Sequence, residues 1–187
     1  MQGCSKNFSG TSMLRHWKKL LACDCSVVQM KQNFIYPIMR VGSSSLRHSA
    51  DRFIHNQEIS RCDHINVLIR DPADRFISGL NEYCESNDLS VDDAWHLVER
   101  GSLIDRHFAP QYIWLLHLYK FYKGIITIKP FASLNEFTNV HKKKNTKAKT
   151  PVPLIKNFVE IDNEIMSYLN QTVELGDIIR RHKNVLS

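Results

Sequence analysis

Arg40, Gly42 and the consecutive hydroxyls of Ser43, Ser44 and Ser45 lie in FIYPIMRVGSSSLRH, residues 34–48, where an apolar segment runs straight into small polar residues. A strand that stops at such a loop and restarts as a helix turns several backbone N–H groups into one space, at the positive end of the helix dipole. Gly42 permits close backbone approach, the serines add hydroxyl donors, and Arg40 brings a planar, permanently charged fork. The set suits a phosphate or sulfate. The competing reading is a strand-to-helix turn with a serine cap, a common arrangement. The loop is not of the Walker A type, which needs two spaced glycines and a lysine directly before the hydroxyl residue, so nucleoside-triphosphate hydrolysis loses ground.

A second group sits in VLIRDPADRFISGL, residues 67–80, with Arg70 at the end of an apolar run and Ser78 eight residues later. In a parallel sheet the C-terminal strand ends and the helix starts gather at one edge, where ligands bind. Arg70 then meets a second anionic group beside the first. Asp71 and Arg75 read as a helix-start pair at i, i+4, and Phe76 and Leu80 as core residues. Two anion sites on adjacent strand ends suit a ligand with two separated phosphates.

The elements that must position these residues follow from periodicity and caps. Residues 33–39 read as a buried strand and residues 43–53 as a helix capped by one of the serines. HINVLIR is a second strand, followed by a helix with Asp71 as cap and Pro72 in its first turn. SVDDAWHLVER forms a helix capped by Ser90, and PQYIWLLHLYKFY another that starts near Pro110. GIITIKPF is a third strand, and residues 132–137 form a short helix. The last stretch, from LIKNF onward, carries two helices. Near the start, MLRHWKKLLAC is a basic amphipathic helix with Leu14, Trp17, Leu20 and Leu21 on one face, capped by Thr11 or Ser12. Strands and helices thus alternate as in an α/β protein with three or four parallel strands. His141 to Pro153 is a polar, basic break in composition and reads as a loop.

The 187 residues are enough for one domain with a core, and 43% hydrophobic content is ordinary for a globular chain. A formal net charge of +6 favours an anionic partner without naming it. Nucleic acid is not the expected partner, because aromatic residues do not interleave with the basic ones. Five cysteines are an odd number, and Cys23 and Cys25 are too close for half of a paired zinc site. Reduced thiols are the simpler reading. No run approaches the roughly 18 apolar residues that cross a bilayer, and the charged start differs from a signal peptide. A soluble, cytoplasmic protein is expected.

The pair PIMRVGSSSL and VLIRDPADRFISGL resembles the two cofactor motifs of sulfotransferases that use 3′-phosphoadenosine 5′-phosphosulfate (PAPS), most closely the carbohydrate-type branch. That branch has a 5′-phosphosulfate loop of form P-K-x-G-S/T-S/T-S/T-L and a 3′-phosphate motif R-D-P-x-x-R-x-x-S. Arg70, Asp71, Pro72, Arg75 and Ser78 match the second motif completely. DRHFAPQYIWL is similar to a histidine-x-x-proline-glutamine segment of the branch, and GIITIKPFASLNEF and FVEIDNEIMSYL resemble the elements that follow, so the likeness runs over about residues 33–170. It implies a P-loop-like three-layer sandwich around a mainly parallel sheet, one domain over residues 1–187. It implies PAPS as cofactor, with 3′,5′-diphosphoadenosine as product and no metal. Arg70 and Ser78 would bind the 3′-phosphate, and Arg40, Val41, Gly42, Ser43, Ser44 and Ser45 the 5′-phosphosulfate.

Two departures stand out. Arg40 replaces the family's lysine, which contacts the bridging oxygen, and Met39 replaces the proline before it. Arg40 keeps the charge but is bulkier, and it cannot donate a proton at neutral pH. Sulfuryl transfer to a hydroxyl or amine of a carbohydrate or small-molecule acceptor needs in-line placement, a cation at the leaving oxygen and a base. For the base, His55 ranks first, Glu58 is its near neighbour and His107 is third. The alternative is a nucleotide-binding protein of the same fold that has lost transfer through Arg40. The compact length and missing anchor differ from Golgi members and point to a microbial or viral source.

Overall fold

The computed structural model describes Trp17 and residues 22–100, 102–103, 105–138 and 156–182. The N-terminal amphipathic helix, apart from Trp17 and its last two residues, and the basic loop with Lys142 to Lys149 lie outside the described residues. Six strands form one open sheet: β1 (Ser26–Met30), β2 (Asn33–Tyr36), β3 (Arg52–His55), β4 (His64–Ile69), β5 (Ile125–Pro130) and β6 (Thr172–Glu174). Their order is β3-β1-β2-β4-β5-β6. Only β2, β4 and β5 pair in parallel, while β1/β2, β1/β3 and β5/β6 are antiparallel. The chain is α/β, but its sheet is mixed, which corrects the expectation of a mainly parallel one.

Three short strands account for the difference. The β1/β2 hairpin turns through Lys31 and Gln32, with Lys31 at φ 55. Such tight turns usually carry Asn-Gly or Asp-Gly, which accept positive φ at little cost. Here the carboxylate of Asp51, twenty residues away, accepts the Lys31 N–H at 2.6 Å and holds the turn. The helix expected over residues 43–53 ends at His48, because Arg52–His55 leaves to pair with β1 as strand β3. Strand β6 is three residues long and separates the two C-terminal helices.

The core strand β4 is buried from Ile65 to Ile69, so both faces of the sheet are covered at its centre. In β5 burial alternates: Ile126 and Ile128 are enclosed, while Thr127 meets His64 Nε2 at 2.7 Å and Thr172 Oγ1 at 2.6 Å on the other face. Seven helices are described: α1 (Ser43–His48), α2 (Pro72–Asn87), α3 (Val91–Glu99), α4 (Gln111–Phe121), α5 (Leu134–Phe137), α6 (Lys156–Met166) and α7 (Leu175–His182). Asp71 caps α2 by accepting the Asp74 N–H at 2.8 Å, and Ser90 caps α3 through the Asp93 N–H at 3.1 Å. Helix α4 buries nearly all of its circumference and packs with α6 and α7. No described helix is long and apolar enough to cross a membrane.

Candidate functional site

Strands β2 and β4 run side by side, so the loop after Tyr36 and the residue after Ile69 emerge at the same sheet edge. Strand β5 ends beside β4, with Pro130 opposite Ile69, and delivers Phe131 to that edge. The Phe131 ring lies 5.7 Å from the Arg70 guanidinium. It also supports the first loop: a Cβ on Gly42 would come 3.2 Å from Phe131 and 2.7 Å from a Leu134 methyl. Gly42 itself sits at φ 74. Any other residue there would meet both a steric wall and a left-handed backbone.

Gly42 also occupies the N-cap of α1, and among the described residues no side chain caps that helix. The expectation of a serine cap is therefore corrected. Ser43, Ser44 and Ser45 fill the first turn, with N–H groups that a short helix leaves without internal acceptors. Their hydroxyls make no hydrogen bond among the described residues. Ser43 is buried, Ser45 half-buried and Ser44 exposed. Val41, by contrast, is fully buried and its N–H donates to Ile38 O at 3.2 Å, so it serves the turn.

Arg40 leaves the serine turn and lies across α2. Its Nη2 donates to Ser78 Oγ at 2.9 Å and its Nη1 pairs with Glu82. Its Nε is buried without a partner among the described residues. Burial lowers the Arg40 pKa, and the charge of Arg70 lowers it further, while Glu85 opposes the shift. Arg70 is anchored through its main chain: Gln111 Oε1 accepts its N–H at 2.8 Å and Gln111 Nε2 donates to its carbonyl at 2.9 Å. This amide continues the ladder one residue past β4. The Arg70 guanidinium is 3.8 Å from Asp74, a loose i, i+4 pair.

Arg75 corrects another expectation. It does not pair with Asp71 on the helix surface; it is 1% exposed and points inward. Its Nε donates to Met39 O at 3.1 Å and its Nη1 to Ala109 O, while Nη2 has no partner among the described residues. One side chain therefore ties the loop before Arg40 to the segment before α4. Asp162, from α6, completes this frame. It accepts from the Gln111 N–H at 2.7 Å and the Tyr112 N–H at 2.9 Å, capping α4 from another helix. Arg75, Gln111 and Asp162 were not among the residues marked as functional, and only their places in the RDPxxR, PQ and FVEIDNEIMSYL segments could have flagged them.

Burial pushes the Asp162 carboxyl from 3.8 to about 6, against the pull of Arg75 and of three hydrogen bonds from α4. Between these values the folded state holds a proton that the unfolded state has released. Asp162 therefore contributes most stability below pH 4, and loses about 3 kcal/mol of it as the pH rises through 6. Urea midpoints of the wild type and of Asp162→Asn, followed from pH 4 to pH 7, should diverge with this sign. Parallel curves would mean that Asp162 is not a desolvated acid.

The three base candidates fall in different places. His55 is exposed on the outer strand β3, its ring stacked on Phe53 at 6.2 Å, with β1 between it and β2. Glu58 pairs with Arg52 at 3.1 Å on the surface. Neither touches the Arg40 and Arg70 group among the described residues. The main chain of His107 instead rests on α2: its carbonyl oxygen lies 2.2 Å from where a Cβ on Gly79, the residue after Ser78, would be. Its Nδ1 pairs with Asp105, whose carboxylate also accepts the His107 N–H at 2.8 Å. A carboxylate accepts only, so Nδ1 carries the proton and Nε2 is left with its lone pair in the neutral ring.

Among the described residues no three His, Cys, Asp or Glu side chains gather as a metal site. Among the described residues Cys25, Cys62 and Cys84 form no disulfide, and burial raises the Cys25 thiol to about 12. No protein-family model, curated protein or solved structure matches the chain.

Proposed function

We propose that the protein binds a nucleotide with separate 5′ and 3′ anionic groups, and that this nucleotide is PAPS, used for sulfuryl transfer to a hydroxyl or amine of a carbohydrate or small molecule. The observation that carries this reading is that Arg40 and Arg70 leave adjacent parallel strand ends near enough for their charges to interact, with Arg40 on Ser78, beside a helix start whose three serine hydroxyls make no hydrogen bond among the described residues. Like charges are held near each other here, and the Arg40 Nε is buried without a partner among the described residues. A multiply charged anion relieves both. The residues present therefore fit such a ligand.

When bound, PAPS supplies an activated sulfuryl group whose S–O bond to the 5′-phosphate breaks as the acceptor oxygen or nitrogen attacks. The serine turn holds the 5′ end through N–H and hydroxyl donors, which also stabilise the charge left on the phosphate oxygen. Arg70 and Ser78 hold the 3′ end. Of the base candidates, only His107 adjoins α2, through its main chain at Gly79; Asp105 fixes its tautomer, and Nε2 would take the acceptor proton. His55 and Glu58 serve only if the acceptor extends toward β3.

A second reading is favoured by one observation. Arg40, which should stand at the leaving oxygen, is paired with Glu82 instead. A protein that binds the nucleotide without transferring its sulfuryl group has that arrangement.

Calorimetric titration with 3′,5′-diphosphoadenosine, against adenosine 5′-diphosphate, tests the nucleotide itself. Micromolar binding that requires the 3′-phosphate is expected. Arg70→Ala should weaken it by about 10- to 100-fold, the worth of one charge-assisted contact, with adenosine 5′-monophosphate changed by less than about 3-fold. Equal losses for both ligands would overturn the two-anion assignment. Release of 3′,5′-diphosphoadenosine from PAPS during incubation then separates the enzyme from the binding protein.

A further inference from the structure

Arg40 is the least ordinary residue of the site. Its φ of 64 is left-handed, a conformation that L residues with a Cβ avoid. The strain places its guanidinium over α2, where Ser78, Glu82 and Glu85 recur at i, i+4 and i+7 on one helix face. Ser78 and Glu82 both hold it, and Glu85 adds a favourable charge. No hydrogen bond ties its guanidinium to Ser43, Ser44 or Ser45 among the described residues.

We propose that Arg40 belongs to the 3′ end of the ligand: with Arg70 and Ser78 it forms the 3′-phosphate subsite and sets the preference for a 3′-phosphate over a 3′-hydroxyl, and Glu82 is the internal carboxylate that a 3′-phosphate displaces. The proposal rests on the nucleotide reading above, and it gives Arg40 a role different from that of the lysine which the resemblance puts there. The chemistry is an exchange of anions. Glu82 offers Arg40 one negative charge from a side chain that is 38% exposed, whereas a phosphate offers up to two charges and reaches Arg70 and the Ser78 hydroxyl at once. Glu82 left beside a bound phosphate repels it, so the carboxylate is also a brake on affinity. The 5′ end then depends on the serine turn alone.

The test is calorimetry of the wild type, Arg40→Ala and Glu82→Gln with 3′,5′-diphosphoadenosine and with adenosine 5′-monophosphate. Arg40→Ala should lose about 10- to 100-fold for the 3′-phosphorylated ligand and less than about 3-fold for the monophosphate. Glu82→Gln, a half-exposed change that leaves the core untouched, should gain about 3- to 10-fold for the 3′-phosphorylated ligand only. Equal losses for both ligands in Arg40→Ala would assign Arg40 to the 5′ end and overturn the proposal, and so would weaker binding in Glu82→Gln. A 3′ preference that survives Arg40→Ala overturns the subsite alone. A wild type without any 3′ preference overturns the nucleotide reading and the subsite with it.

Discussion

Gly79→Ala should destabilise the protein by about 3 kcal/mol, lowering its melting temperature by about 6–12 °C. The sign is opposite to the rule for helix interiors, where alanine is favoured over glycine by about 1 kcal/mol. Gly79 lies inside α2 and is buried. A Cβ there would stand 2.2 Å from the His107 carbonyl oxygen, 2.7 Å from its carbon and 3.0 Å from Phe108 Cα. All three are main-chain atoms, so no rotamer change makes room. The helix and the 105–108 turn must move apart. That movement reaches Phe108, whose ring packs edge-on to Phe76 at 6.0 Å and to Tyr83 at 6.1 Å. It also shifts the Asp105 and His107 pair relative to Ser78. Thermal melts and urea titrations give the number directly. A variant as stable as the wild type would mean that the turn does not rest on α2.

What the sequence made legible was local. Asp71 before Pro72 and Ser90 before VDDAW announce helix starts through chemistry contained within four residues, and both caps form. The largely apolar run from Ile65 to Ile69 announces a strand covered on both faces. What stayed hidden depends on distant partners. The turn at Lys31 is held by Asp51, and strand β3 exists because Arg52 to His55 finds β1, neither of which periodicity records. The site divides the same way. Gly42, the serines, Arg70 and Ser78 were visible as spacing, but the direction of Arg40 was not, because it is set by Glu82 on a helix 42 residues away. Arg75 was misread for a similar reason: i, i+4 spacing to Asp71 fits a surface pair, yet the acceptors at Met39 and Ala109 draw the side chain inward.

Arg75→Leu should then lose about 3–5 kcal/mol, because two carbonyls lose their donor and the buried Asp162 carboxylate loses a nearby positive charge. Burial lowers the Arg75 pKa to about 10, with Asp162 opposing the shift and Arg40 and Arg70 adding to it, so the guanidinium is still charged at neutral pH. Leucine supplies the volume of the stem but abandons two carbonyls, Met39 O and Ala109 O, and leaves the Asp162 carboxylate without its cation. Each desolvated, unpaired acceptor is a loss of about 1–3 kcal/mol. Removing the cation also takes away the main charge that restrains Asp162, so its carboxyl should titrate above 6, and the stability lost on raising the pH should extend into the neutral range. A double-mutant cycle with Asp162→Asn isolates the pair: neutralising the acid in the leucine background should cost about 1–3 kcal/mol less than in the wild type. Strict additivity would mean that Arg75 and Asp162 do not compensate each other, and that Arg75 holds the two loops by its carbonyl contacts alone. Coupling of the expected size would mean that the charges of Arg75 and Asp162 together steady the loop before Arg40 and, through Gln111, the main chain of Arg70, so that the spacing between these two segments is set from inside the core.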